Sequence, residues 1–351
     1  MRRLPSTIIF TSAFCFVAGA QSGLPLIQPD AGLVFGIEWR KLLESPTGSA
    51  LKEHLNKPEL ASVKEYQVFK DIFFDKLDSV VIGVPSAGLK NGKQPPPLVV
   101  VKGRFDLAPI RTALLGKGAN PEKYRTVELL LPPESGSKAA KPDNFRIALL
   151  DANTILCGDA AEVRAAIDRV TTGRLLQSHK GTLEGVAELA AANDVWMVFT
   201  MPPSTTKDAS NPMNQMLADV KGAQLGMSFG NGLAVRMNVR AKDSAAAAQV
   251  AKTIQGFIGM AALSGSQNPQ SVEMLKKVQV APEGSQVRIA LTVDKSELEK
   301  IIQESQSIRT ARQPAGRDVV TGTPEPAGRK TIRISGLDGG PVEVPLSSTK
   351  K

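Results

Sequence analysis

Cysteine, histidine and aromatic residues are scarce in this 351-residue chain. It has two cysteines, Cys15 and Cys157, and the first lies in an N-terminal segment that reads as removable, so the mature chain can form no internal disulfide. Its two histidines, His54 and His179, with one remaining cysteine, cannot assemble a transition-metal site at ordinary spacing, and both read as surface residues. Aromatics make up 5% of the chain, so the core has to be aliphatic. No apolar run is long enough to cross a bilayer. No basic stripe interleaved with aromatics appears, which argues against nucleic acid as a partner.

What is present is the material for a large core: 42% of the residues are hydrophobic and 22% charged. Arg2 and Arg3, a mostly apolar Thr7 to Val17 and the small-residue triplet Ala18-Gly19-Ala20 form a cleavable export signal, with cleavage before Gln21 and a periplasmic or extracellular destination. Removing residues 1–20 takes two arginines and no acids, lowering the net charge from +9 to +7. Residues 307–351 hold eight Lys/Arg against four Asp/Glu, so this Pro/Gly-rich tail carries much of the charge and reads as largely disordered. Within it, Lys330 to Leu346 alternates Ile332/Ile334 and Val342/Val344 around Asp338-Gly339-Gly340, the pattern of a small hairpin or of strands that add to another sheet edge.

The most legible stretch is Phe145 to Gly173. Two aliphatic runs flank Asp151-Ala152-Asn153, which predicts a hairpin. Asp159 with Glu162 three residues later predicts a capping box, and Val163, Ala166, Ile167 and Val170 form one helical stripe. The same plan recurs. Asp30 and Asp194 each precede a buried strand with Val and Phe at matching offsets (Val34, Phe35; Val198, Phe199). Asp106 and Asp243 each cap a helix, and Asp294 with Glu297 repeats the box. Leu225 to Phe229 and Leu233 to Val239 are predicted as strands around an Asn231-Gly232 turn, and Pro282 to Ser285 as a further hairpin turn. The expected fold is therefore α+β. It has two related halves, 21–176 and 177–306, of antiparallel hairpins each followed by an Asp-capped helix, with helices on one face of the sheet or sheets. One continuous sheet and two separate ones are equally compatible with the pattern.

Several stretches touch on chemistry, and each has a structural explanation beside the catalytic one. Gly226-Met227-Ser228-Phe229-Gly230 matches the nucleophile-elbow spacing, but a strand follows where a helix is needed, and both histidines precede Ser228. Gly88 to Lys93 is one residue short of a phosphate loop and lies between strands. Asp71, Asp75 and Asp78 could face a hard cation, but Lys70 and Lys76 interleave with them, as on a solvated face. Glu38 beside Trp39 looks like half of a sugar-cleaving pair whose second carboxylate is not identifiable. Cys157 reads as a small core residue rather than a reactive thiol. The balance is against an enzyme: no catalytic, cofactor-binding or metal residue is assigned, and no cofactor is expected.

The opening Asp30-Ala31, strand, Arg40 to Leu43 and the element Gly158, Asp159, Val163, Ala166, Ile167 resemble those of a class of exported bacterial envelope proteins of unknown function. The similarity covers roughly residues 29–305. The resemblance implies an envelope setting and no activity, so the expectation is a non-catalytic binding or scaffold protein with an unidentified protein or envelope component as partner. The alternatives are an envelope hydrolase with dispersed carboxylates and a protein that uses its basic tail on an anionic polymer or lipid.

Overall fold

The computed structural model describes residues 23–49, 52, 74–86, 97–132, 144–173, 185–201, 218–264, 269–301, 331–334 and 342–345. The chain divides into two compact units, Met1–Ile302 and Gln303–Lys351.

The larger unit is built on one twelve-stranded antiparallel sheet. In chain order its elements are β1 (Ala31–Ile37), α1 (Trp39–Glu44), β2 (Leu77–Pro85), β3 (Leu98–Gly103), α2 (Leu107–Gly116), β4 (Asn120–Tyr124) and β5 (Val127–Leu131). Then come β6 (Phe145–Asp151), β7 (Thr154–Asp159), α3 (Ala160–Thr171), α4 (Val186–Ala192), β8 (Val195–Thr200), β9 (Val220–Ser228) and β10 (Gly232–Ala241). The unit closes with α5 (Ser244–Ser264), α6 (Pro269–Lys277), β11 (Gln279–Glu283), β12 (Gln286–Asp294) and a short helix α7 over residues 295–301. The fold is α+β, with every strand pair antiparallel.

The sheet settles the relation between the halves. It is continuous, and its middle is the pair β1–β8, in which Val34 faces Val198 and Gly36 faces Trp196. Outward from that seam the order is β1-β2-β3-β7-β6 on one side and β8-β9-β10-β12-β11 on the other, with β5 and β4 extending the first side. The two series match when β1 to β3 answer to β8 to β10 and β6, β7 to β11, β12.

Helices lie on both faces of the sheet, which corrects the expectation of one. Paired residues of antiparallel strands share a face, so Val198, Val34, Val81, Val100, Leu156, Ala148 and Leu129 all sit on the same side, here face A, beneath Val163 and Ile167 of α3 and Val186 of α4. Their neighbours Val80, Val101 and Ile155 point to face B, where Ile110 and Leu114 of α2 cover them. On the same face B, Phe199, Ala223, Val239 and Val287 lie beneath Ala247, Val250 and Ala251 of α5. Runs such as Ser79 to Val84 and Leu98 to Val101 are apolar at consecutive positions because these strands are buried on both sides.

The four predicted caps are in place. Asp106 accepts from Ala108 N–H at 3.2 Å, Asp159 from Ala161 N–H at 2.8 Å, Asp243 from Ala246 N–H at 2.7 Å and Asp294 from Glu297 N–H at 2.9 Å. Neither partner of the two expected boxes folds back on its cap. Glu162 lies in the field of Asp30 and Arg169, and Glu297 pairs with Lys277. The Asn231-Gly232 turn is wider than a two-residue hairpin: β9 ends at Ser228, whose partner is Ala234, and Gly232 has φ 129°. The apolar spacing over 48–55, from Pro58 through Leu60, Val63, Phe69, Ile72 and Phe73, and at Met213, Met216, Leu217 and Val220 predicts further helices, which fall largely or wholly outside the described residues.

The second unit is described at one hairpin, β13 (Thr331–Ile334) with β14 (Val342–Pro345), in which Ile332 faces Val344 and Ile334 faces Val342, as the alternation predicts.

Candidate functional site

Glu38, the carboxylate singled out beside Trp39, sits at the end of the β1–β8 seam. Its partner is a different tryptophan: Trp196 Nε1 donates to Glu38 Oε1 at 3.2 Å, across 158 residues of sequence. Trp39 is a packing residue instead, donating Nε1 to the Phe74 carbonyl at 3.2 Å and meeting the Phe74 ring edge-on at 5.6 Å. The backbone N–H of Glu38 donates to the Asp194 carbonyl at 2.7 Å, which brings a second acid to the same end of the seam. Burial pushes the Glu38 carboxyl above its ordinary range, and Asp194 adds to this, while the Trp196 N–H and Lys41 oppose it.

Two carboxyls at one place are the minimum for acid–base hydrolysis. Asp194, however, is 3% exposed and already engaged. Its Oδ2 accepts from Phe229 N–H at 2.6 Å, its Oδ1 lies 3.7 Å from Lys41 Nζ, and its own N–H donates to the Met227 carbonyl. Lys41 Nζ also reaches the Ala191 carbonyl at 2.9 Å, and Thr47 Oγ1 donates to the carbonyls of Gly230 and Gly232 at 2.9 and 3.3 Å. The cluster therefore ties α1, the start of β8 and the β9–β10 loop into one clamp.

The remaining candidates separate. Ser228 ends β9 and leads through a loop into β10, so it has no elbow geometry. Asp78 forms an ion pair with Arg40, and among the described residues no three His, Cys, Asp or Glu side chains come together as a metal site. Asp71, His54, His179 and the loop Gly88 to Lys93 lie outside the described residues. Cys157 packs against the face-B cluster of α2, and burial pushes its thiol up to about 12. Asp294, with Glu273, Lys277 and Lys300, lines a shallow groove of about 310 Å³ between α6 and α7.

One surface was not marked by any motif. Face A of β9, β10 and β12 is polar where the same face of β2, β3 and β7 is apolar. Gln224, Asn238 and Arg288 lie side by side across three strands, with Arg236 and Arg240 two residues to either side of Asn238. Arg236 and Arg288 are exposed. The signal was the alternation in Val235 to Arg240 and Val287 to Thr292, which places every second side chain away from α5.

Both free edges of the sheet carry a proline, Pro121 in β4 and Pro282 in β11. Proline is tolerated in an edge strand where its missing N–H faces outward. On β11 the outward Val280 carbonyl is also taken, by Gln255 Nε2 of α5 at 3.2 Å. These edges are protected against addition of a further strand.

Comparison with known proteins adds little to this geometry. No family model matches the chain, and no curated protein matches it. A solved structure of TP0453 is similar at TM-score 0.46 and 9% identity, over 82% of this chain and 98% of that one.

Proposed function

We propose that this chain is an exported envelope protein with a binding or scaffold role, built by duplication of one α+β plan. The open polar face of β9–β10–β12 is its working surface. One observation carries this reading: two series of strands in the same order treat face A differently at their outer strands. Face A is covered by α3 over β6 and β7 and by α4 over β8 and β9, whereas β10 and β12 leave Arg236 and Arg288 exposed there. Solvent-facing arginines grouped without an aliphatic cover suit recognition more than stability. The blunted edges make strand addition the less suitable route. Export rests on Arg2, Arg3, the apolar segment and Ala18-Gly19-Ala20. Among the described residues no helix is long and apolar enough to cross a membrane.

Expression of the full chain in a bacterial host, followed by fractionation and mass analysis of its N-terminus, tests export. The expected product is periplasmic or secreted and starts at Gln21; a cytoplasmic, uncleaved product refutes it. A second reading, an envelope hydrolase, is favoured by the raised Glu38 carboxyl near Asp194. Screening purified protein against peptide, ester and glycan substrates decides between the two. Turnover abolished by Glu38→Gln or Ser228→Ala would replace the binding role.

A further inference from the structure

Arg240 is the unusual group on the open face. Its Nη2 lies 3.4 Å from where a side chain on Gly222 would begin, so the guanidinium lies across the glycine of the neighbouring strand. Its Nε is buried and has no hydrogen-bond partner. Arg164 and Arg169 also have one unpartnered nitrogen, but other nitrogens of those groups reach Glu122 and the Leu26 carbonyl, and Arg40 donates from Nε to Asp78. Among the described residues Arg240 has no ion pair or hydrogen bond of that kind, and neither has Arg236. A buried charged donor without an acceptor costs stability, so its retention asks for an acceptor from outside.

The surroundings define that acceptor. Among the described residues of β8 to β12, face A carries two carboxylates, and both are occupied. Glu283 pairs with Arg288 at 2.8 Å, and Asp294 caps α7. Arg236 and Arg240 are four residues apart on one strand, about 13 Å, with Asn238 midway and Arg288 one strand to the side, about 5 Å away. No aromatic side chain on face A of β9 to β12 offers a platform for stacking a sugar ring or a base. An arginine fork pairs bidentately with carboxylates, and the amides of Gln224 and Asn238 suit peptide groups. An extended peptide repeats its side chains every two residues at the strand's own pitch, so acids at i and i+4 meet Arg236 and Arg240 together.

On these grounds we infer that face A of β9–β10–β12 binds an extended acidic peptide segment, with Arg236 and Arg240 receiving carboxylates four residues apart. The inference rests on the proposed binding role but not on export.

Fluorescence anisotropy on the full chain tests it. The probe is a labelled peptide of about eleven residues in which Asp alternates with Thr. The competitors are an isomer with the same acids in one block, inorganic polyphosphate and phosphatidylglycerol vesicles. Arg240→Gln and Arg236→Gln are each expected to weaken the alternating peptide by about tenfold or more. Arg111→Gln, an exposed arginine of α2 paired with Glu128, is the charge-matched control and should change affinity less than about twofold. The blocked isomer should bind several-fold more weakly. Lack of binding, equal losses in all three variants, or displacement by polyphosphate or vesicles with no preference between the two peptides would overturn the inference. Should Arg240→Gln fail to fold, Arg236→Gln carries the test at an exposed position. A cytoplasmic location would leave the anisotropy result unchanged, so failure of the export reading and failure of this one are distinguishable.

Discussion

Replacing Gly36 with alanine should destabilise the seam between β1 and β8. Gly36 is buried opposite Trp196, the largest side chain with no exposed surface, and a Cβ there would stand 2.1 Å from Trp196 Cε2 and Cζ2 and 2.6 Å from Nε1. Non-bonded carbons settle at about 3.5–4.0 Å, so the indole would have to move by about 1.5 Å. The two strands cannot separate, because five consecutive residue pairs tie β1 to β8. The ring must leave its rotamer and surrender its bond to Glu38 Oε1. Overpacking costs about 1–3 kcal/mol and the lost hydrogen bond about 1 kcal/mol. Against this, alanine stiffens the unfolded chain by about 0.4–1 kcal/mol, so the net loss is about 1–3.5 kcal/mol. Urea unfolding followed by tryptophan fluorescence reads it directly. Gly259→Ala in α5, where a Cβ would meet nothing within 4 Å, is the matched control and should stabilise by about 0.5–1 kcal/mol. Trp196→Phe combined with Gly36→Ala should be less damaging than the two losses added together, because the smaller ring vacates the space the methyl needs. A midpoint for Gly36→Ala equal to wild type would refute the argument.

Other predictions use the same kind of measurement. The Glu38 carboxyl is raised above its ordinary value of 4.5 by burial, so its favourable contribution to folding is present below that value and is lost as pH rises through the folded-state value. Glu38→Gln keeps an acceptor for Trp196, so its stability relative to wild type should climb as pH rises above the ordinary carboxyl value of 4.5; a flat difference contradicts this. Cys157 should resist a thiol reagent at about pH 8 in the folded protein and react at once in urea, since its thiol is pushed up to about 12. Asp159→Ala should cost about 1 kcal/mol by removing the α3 cap, while Asp159→Asn should cost much less; equal losses would mean that the cap is not the cause.

Local chemistry was legible in the sequence wherever neighbours in the chain decide it. The four capping aspartates, the hairpin across Asp151 to Asn153 and strand β5 needed only residues a few positions apart. β4 was missed because Asn120-Pro121-Glu122-Lys123-Tyr124 has a proline, two charges and no apolar alternation; it is a strand because β5 lends it a ladder, with Glu122 holding Arg146 and Arg164. The Asn231-Gly232 loop opened because Asp194 takes the Phe229 N–H, a contact across 35 residues. The pairing of Glu38 with Trp196 is longer still, and adjacency in sequence pointed to Trp39 instead. Helices on both faces were foreshadowed by unbroken apolar runs in β2 and β3, which a strand covered on one side does not need.

The period of two in a strand lets each face of a sheet change without the other. In β10, Met237 and Val239 pack with the face-B cluster of α5 while Arg236, Asn238 and Arg240 occupy the positions between them. The corresponding strand β3 has Val101 beneath α2 and Leu98 and Val100 beneath the helices of face A. Polar residues at alternate positions thus free one face of β10 and leave its packing against α5 intact. On the proposed binding role, folding and recognition would be carried by different side chains of the same strand, so substitutions at Arg236 and Asn238 should move a binding curve and cost less than about 0.5 kcal/mol in urea unfolding. Substitution of Val239 should do the reverse, lowering the midpoint while any peptide that still meets folded protein binds as before.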